Sequence, residues 1–234
     1  MRCSFCATGQ MGFARQLSTD EIFEQALIFA QELKQADERL SNVVLMGMGE
    51  PFHNYDSVIA AIRLLMERLG IGARRITVST VGLVPKIRAF TQEGLQVKLA
   101  ISLHATKNEA RSAIMPVNKR YPIEDLISAC RDYVAMSKRR ITFEWALIAG
   151  QNDSTAQAHE LGRLLKGLMC HVNVIPLNPT EGFEGKPTAA PDASQFIEIL
   201  SHYGIPGTVR VRRGIDIDAG CGQLKSKVLK KARQ

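Results

Sequence analysis

The chain lacks any run of the ~18 or more apolar residues that a membrane-spanning helix requires, and no charged-then-apolar leader precedes a cleavage-like site. Contact with a membrane is not expected, and a cytoplasmic location is. Cysteine is scarce: Cys3, Cys6, Cys130, Cys170 and Cys221 make five, an odd and irregular set. That excludes a secreted disulfide framework and leaves reduced thiols, metal ligands or redox chemistry. Low-complexity linkers and fixed-period repeats are also missing, so nothing divides the chain into an array.

The 234 residues, 45% hydrophobic and 23% charged, suit one globular domain with a sizeable core. Thirty Lys and Arg outnumber 23 Asp and Glu, a net charge of +7. The excess gathers at Arg210, Arg212, Arg213 and the tail KSKVLKKARQ. A polyanionic partner would meet it, and so would solvent around a basic tail.

Apolar, strand-like runs recur: NVVLMG, RITVS, VKLAIS, ITFEWALI and HVNVIPL, each followed by small or polar residues. Amphipathic helical patterns separate them at 18–35, 55–69, 123–136, 156–168 and 193–203. Ser18 and Glu21 have the spacing of a capping box. Asp153 in GQNDS is expected to cap the helix that follows it. Alternating strands and helices imply a parallel sheet buried on both faces. The fold class is α/β, and whether open or closed, such a sheet places function at the carboxyl ends of its strands.

At the chain's start, MRCSFCATGQMGF carries a Cys-x-x-Cys pair. Three uses compete. Zinc wants two further Cys or His ligands, and no second close pair exists. A thioredoxin-type pair wants an immediate helix start, and the first helical pattern begins only near Ser18. An iron-sulfur loop wants an aromatic beside the last cysteine and a glycine-containing wrap, which SFCATGQMGF supplies.

The segment SFCATGQMGF, followed in order by VVLMGMGEP, RITVSTVG, LAISLHA, VIPLNP and RGIDIDAGCGQL, resembles the radical S-adenosylmethionine RNA adenine methylases of the RlmN and Cfr family over essentially the whole chain. The resemblance implies a partial parallel (βα)6 TIM-type barrel, here expected without its first strand. It makes residues 1–234 a methyltransferase core without an N-terminal RNA-binding domain, with 207–234 a C-terminal segment bearing a methyl-carrying cysteine and the basic tail. Cys3 and Cys6 would be two of the three ligands of a [4Fe-4S] cluster, the third expected before Met1.

Gly49, Glu50, Ser79, Ser102, Leu103, His104 and Asn178 would contact S-adenosylmethionine. Each has an ordinary alternative: a turn residue for Ser79, a core histidine for His104, a loop residue before proline for Asn178. Cys221, between Gly220 and Gly222, would accept a methyl group that a radical then transfers to an electron-poor adenine carbon. The implied substrates are ribosomal and transfer RNA with the base out of its stack, at C2, with C8 the nearest rival. An inactive fragment that only binds RNA is the alternative from another class. A reducing electron donor and a monomeric state are further expectations. Cys130, on an apolar helix face, and Cys170, before a buried strand, are expected to be core packing.

Overall fold

The computed structural model describes residues 1–178, 180 and 182–210. Its elements run α1 (Ala7–Met11), α2 (Thr19–Gln35), β1 (Val43–Leu45), α3 (Tyr55–Arg68), β2 (Ile76–Thr80), α4 (Val84–Gln92), β3 (Lys98–Ser102), α5 (Asn108–Ile114), α6 (Ile123–Ser137), β4 (Ile141–Leu147), α7 (Thr155–Leu165), β5 (Cys170–Pro176), α8 (Ala190–Ser201) and β6 (Gly207–Val209). The five strands expected from their apolar runs are present. The sixth, β6, was not anticipated: it is three residues long and begins on glycine. With it the chain itself contributes six strands.

All neighbouring strands are parallel and follow sequence order from β1 to β6, with helices as the crossovers. This is the α/β, partial TIM-type barrel of the expectation. The pairings Ser79↔Ala100, Ser102↔Glu144, Glu144↔Asn173 and Asn173↔Thr208 bring polar residues to neighbouring positions on one face. Alternation explains it, because successive side chains leave a strand on opposite sides. Ile76, Val78, Leu99, Ile101, Phe143, Trp145, Val172 and Val174 face the helices and form the core. The intervening residues, among them Ser79, Ser102, Glu144 and Ala146, line a cavity on the inner face.

Local chemistry sets the helix ends. Ser18 Oγ accepts from Glu21 N–H (3.2 Å) and Glu21 Oε2 accepts from Ser18 N–H (2.8 Å), the expected capping box. Helix α7 is capped differently from expectation. Its N-cap is Ser154, boxed with Gln157. Asp153 instead fastens loops: Oδ1 accepts from Gly150 N–H (2.9 Å) and Oδ2 from the Thr188 hydroxyl (2.7 Å). The serine wins because its hydroxyl reaches the third helical amide while its backbone is still extended.

Cys130 and Cys170 are buried in the core as expected, and burial pushes both thiols up, Cys170 to about 11. Among the described residues no helix is long and apolar enough to cross a membrane.

Candidate active site

The cysteine pair opens a helix after all. Cys6 is the N-cap residue of α1, whose five residues follow it directly, so the expectation that helix begins only near Ser18 is corrected. ATGQM is too short to show a periodic pattern, which is why it escaped notice. Gly9 lets this turn fold back on the pair: a Cβ there would lie 3.1 Å from the Cys3 carbonyl oxygen and 3.3 Å from its nitrogen. The segment is seated by Ser4 N–H donating to the Ile114 carbonyl at the end of α5 (3.0 Å). Gln10 adds bonds to the Ser4 carbonyl (3.1 Å) and the Thr180 hydroxyl (3.2 Å).

This seating puts Cys3 and Cys6 on the wall of a cavity of about 260 Å³ at the carboxyl ends of the strands. Gly49, Glu50, Ser79, Ser102, His104 and Asn178 line the same cavity. Six residues from four segments far apart in sequence therefore converge with both thiols. Leu103 does not join them: its side chain is fully buried in the core. Only its backbone takes part, donating to the Glu144 carbonyl (3.1 Å) and accepting from Arg111 Nε (3.1 Å). Cys221 lies outside the described residues.

Each wall residue is held by its surroundings. Gly49 has φ of +117°, a conformation open to glycine and strained for other residues. Glu50 is buried, with Oε1 accepting from Phe52 N–H (3.0 Å) and Oε2 from Val81 N–H (2.8 Å). It joins the end of β1 to the end of β2, and burial raises its carboxyl above the usual range. His104 also has positive φ, +60°. Its Nδ1 accepts from Ala146 N–H (2.9 Å), so the neutral ring carries its proton on Nε2. Burial lowers its pKa to about 3, which keeps it neutral at physiological pH. Phe5, inside the cysteine pair, meets the His104 ring edge-on at 4.9 Å between centroids.

Three supporting residues were missed in the sequence. Arg111 is fully buried, yet its guanidinium donates to the carbonyls of Val81 (2.7 Å), Ser102 (3.0 Å) and Leu103 (3.1 Å) and to Asn118 Oδ1 (3.1 Å). It fixes the ends of β2 and β3 together. Asn152 donates to the His104 (2.9 Å) and Ala146 (2.7 Å) carbonyls and accepts from Ile148 N–H (2.7 Å). Glu144 lies on the cavity wall, and its period-two place between Thr142 and Ala146 in ITFEWALI was the available signal.

Could these residues hold an iron-sulfur cluster? Cys3 is buried, and burial with the neighbouring Cys6 pushes its thiol up to about 11. A metal would have to displace its proton, as metal binding to thiols does. In the same loop the hydroxyls of Ser4 and Thr8 are buried without a hydrogen-bond partner among the described residues. The two thiols on the cavity wall fit a cluster as two of its ligands. The described residues contain no group of three or more His, Cys, Asp or Glu able to hold a metal by itself.

The profile of the radical SAM superfamily matches residues 1–161. The dual-specificity RNA methyltransferase RlmN 1 of Myxococcus xanthus is 50% identical over 100% of this chain and 66% of its own length. The probable dual-specificity RNA methyltransferase RlmN of a Thermoanaerobacter species (strain X514) is 47% identical over 98% of this chain and 67% of its own. A crystal structure of a radical SAM methyltransferase from Sphaerobacter thermophilus superimposes with a TM-score of 0.92 at 52% identity, over 96% of this chain and 66% of that one. This chain thus spans about two thirds of the length of the relatives it matches. Profile, relatives and strand-end site agree: the chain belongs to the radical SAM superfamily, in its branch of RlmN-type methyltransferases.

Proposed function

We propose that this protein is the catalytic core of a radical S-adenosylmethionine methyltransferase that methylates C2 of adenine in 23S ribosomal RNA and in transfer RNA. One observation carries the reading: Cys3 and Cys6 share a single strand-end cavity with Gly49, Glu50, Ser79, Ser102, His104 and Asn178. Cys3 and Cys6 would hold a [4Fe-4S] cluster, which supplies the electron for reductive cleavage of S-adenosylmethionine. The rest of the wall binds and orients that molecule.

The positive-φ turn at Gly49 opens the backbone near the methionine end of the bound molecule. His104, neutral and fixed as the Nε2–H tautomer, presents a donor that does not change charge near pH 7. Phe5 and Phe183, with rings 6.5 Å apart, shield the cysteine side from water. Cys221 is assigned the methyl-carrying thiol on its DAGCGQL motif. The net charge of +7 suits phosphate contacts. A reducing electron donor completes the set of partners, and the protein acts as a cytoplasmic monomer.

The test is mass spectrometry of ribosomal and transfer RNA from cells lacking the gene, complemented by the full-length protein or its Cys221→Ala variant. Restoration of 2-methyladenosine by the parent and its loss in the variant are expected. Retained methylation in the variant, or 8-methyladenosine as the product, would overturn the assignment.

A further inference from the structure

The end of the barrel opposite the cavity carries cations that the proposed chemistry does not use. Arg74 and Arg75 lead into β2, Lys98 begins β3, and Lys138, Arg139 and Arg140 lead into β4. The connections that reach these three strands contain one acid, Glu93, and it is already taken by Arg63 (2.8 Å) and the Tyr55 hydroxyl (3.2 Å). Among the described residues none of the six cations forms an ion pair. Arg139 Nε is buried there without a hydrogen-bond partner.

Strand alternation gathers these charges. Ser102 and Glu144 line the cavity, so Lys98 and Arg140, each four residues earlier along β3 and β4, take the same inner side at the other end. The pairing Ala100↔Thr142 puts them at adjacent positions on strands about 5 Å apart. Arg75 stands two residues before Thr77, the partner of Lys98. Like charges side by side on neighbouring strands are destabilising, so the fold gains nothing from this arrangement by itself. A helix C-terminus favours a nearby cation, which accounts for Lys138 after α6 but not for cations at the starts of strands. Ammonium and guanidinium groups only donate hydrogen bonds, so a suitable occupant brings acceptors and negative charge.

We propose that this amino-end face binds RNA phosphates, holding the backbone through Arg75, Lys98 and Arg140 on the far side of the barrel from the reacting base. The assignment rests on the RNA substrate proposed above. Phosphate accepts from an Arg fork or a Lys point charge, and such contacts fix position without reading sequence. Seven-residue strands such as β4 are about 23 Å long at 3.3 Å per residue. A backbone advancing about 3.4 Å per nucleotide therefore needs on the order of ten nucleotides to pass from the cavity to this face. A minimal hairpin bearing the target base stops short of it, and a whole transfer RNA reaches it.

Fluorescence anisotropy with the full-length protein, a whole transfer RNA and its minimal target hairpin tests this between about 50 and about 200 mM salt. A triple variant, Arg75→Gln, Lys98→Gln and Arg140→Gln, should flatten the salt slope on the long RNA by about 0.7 per lost single-strand contact, up to about 2.1. Over that range the parent should then lose roughly 20-fold more affinity than the variant. The hairpin slope and the affinity for S-adenosylhomocysteine should not move. Exchanging Arg75→Lys, Lys98→Arg and Arg140→Lys keeps the charges and should retain the parental slope. An equal loss of charge elsewhere, Lys34→Gln, Arg39→Gln and Arg163→Gln, should flatten it far less. Lys98→Gln alone, at an exposed position, should give about a third of the effect and serves if the triple variant does not fold.

An unchanged slope on the long RNA, or equal flattening by the control, overturns the proposal. So does unaltered RNA binding with methylation slowed only when a protein donor replaces a chemical reductant, since the face would then receive an acidic protein. If the parent binds neither RNA, the proposed substrate falls together with the inference. Binding of both RNAs by the parent, with slopes that the triple variant leaves unaltered, sinks the inference alone.

Discussion

Replacing His104 by asparagine separates its protonation from the rest of the site. Asparagine tolerates the left-handed backbone of that position and keeps a polar atom where Nδ1 accepts from Ala146 N–H. In the unfolded chain histidine takes its proton below about 6.5, whereas the folded protein resists protonation down to about 3. Between those values the unfolded state binds the extra proton, so stability falls as pH falls, by about 1.4 kcal/mol per pH unit. Above the upper value there is no effect. Glu50 and Glu144, both raised by burial, act with the opposite sign, so the informative quantity is the difference between parent and variant. Urea unfolding from pH 4.5 to 7 should show a steeper acid-side decline in the parent. Parallel curves would mean the imidazole is not held neutral.

Arg111 offers a second test at this scale. Arg111→Leu leaves the Val81, Ser102 and Leu103 carbonyls without their donor in a buried site. Unfolding in urea should register a loss of roughly 3–5 kcal/mol. Arg111→Lys should recover only part of it, because an ammonium cannot match the guanidinium fork. These residues explain why part of the site was not legible in the sequence. Charged residues are rarely buried, and the partners of Arg111 are carbonyls that meet only after three segments fold together. Gly49, Ser79 and His104 could be found because they stand at the ends of apolar runs, whereas Glu144 and Asn152 look like ordinary polar residues until the strands are paired.

Secondary structure was legible where elements are long and contrast with their surroundings. The apolar runs became β1 to β5 and the long amphipathic segments became α2, α3, α6, α7 and α8. The short helices α1, α4 and α5 escaped because nine residues or fewer hold too few helical periods to stand out, and β6 escaped because its three residues, Gly207–Val209, lie in no apolar run. At the entry to α7 the sequence offers two adjacent caps, Asp153 and Ser154, and geometry divides their roles. Ser154→Ala should destabilise the protein by about 1 kcal/mol and speed hydrogen exchange of the first-turn amides of α7. Asp153→Ala should leave those amides unchanged and instead loosen the loop at Thr188, together with the Ala149 N–H that bonds to the Lys186 carbonyl (2.9 Å). The reverse pattern would return the cap to Asp153.

For the whole molecule, the cation excess sets the expected behaviour toward RNA. Lys225, Lys227, Lys230, Lys231 and Arg233 crowd the last ten residues of a chain whose net charge is +7. Each cation that neutralises a phosphate releases condensed counterions, so the logarithm of the affinity falls linearly with the logarithm of salt concentration, by about 0.7 per contact on single strands and about 0.9 on duplex. Binding of a hairpin from the RNA substrate, followed by fluorescence anisotropy between low and physiological salt, should show a negative slope. A variant ending at Leu224 should flatten that slope in proportion to the tail's phosphate contacts, by up to about 3.5 if all five reach single-stranded RNA. Removing the tail leaves every described wall residue of the cavity in place, so affinity for S-adenosylhomocysteine should not move. An unchanged salt slope would show that the tail is solvated and that the RNA contacts lie elsewhere on the protein.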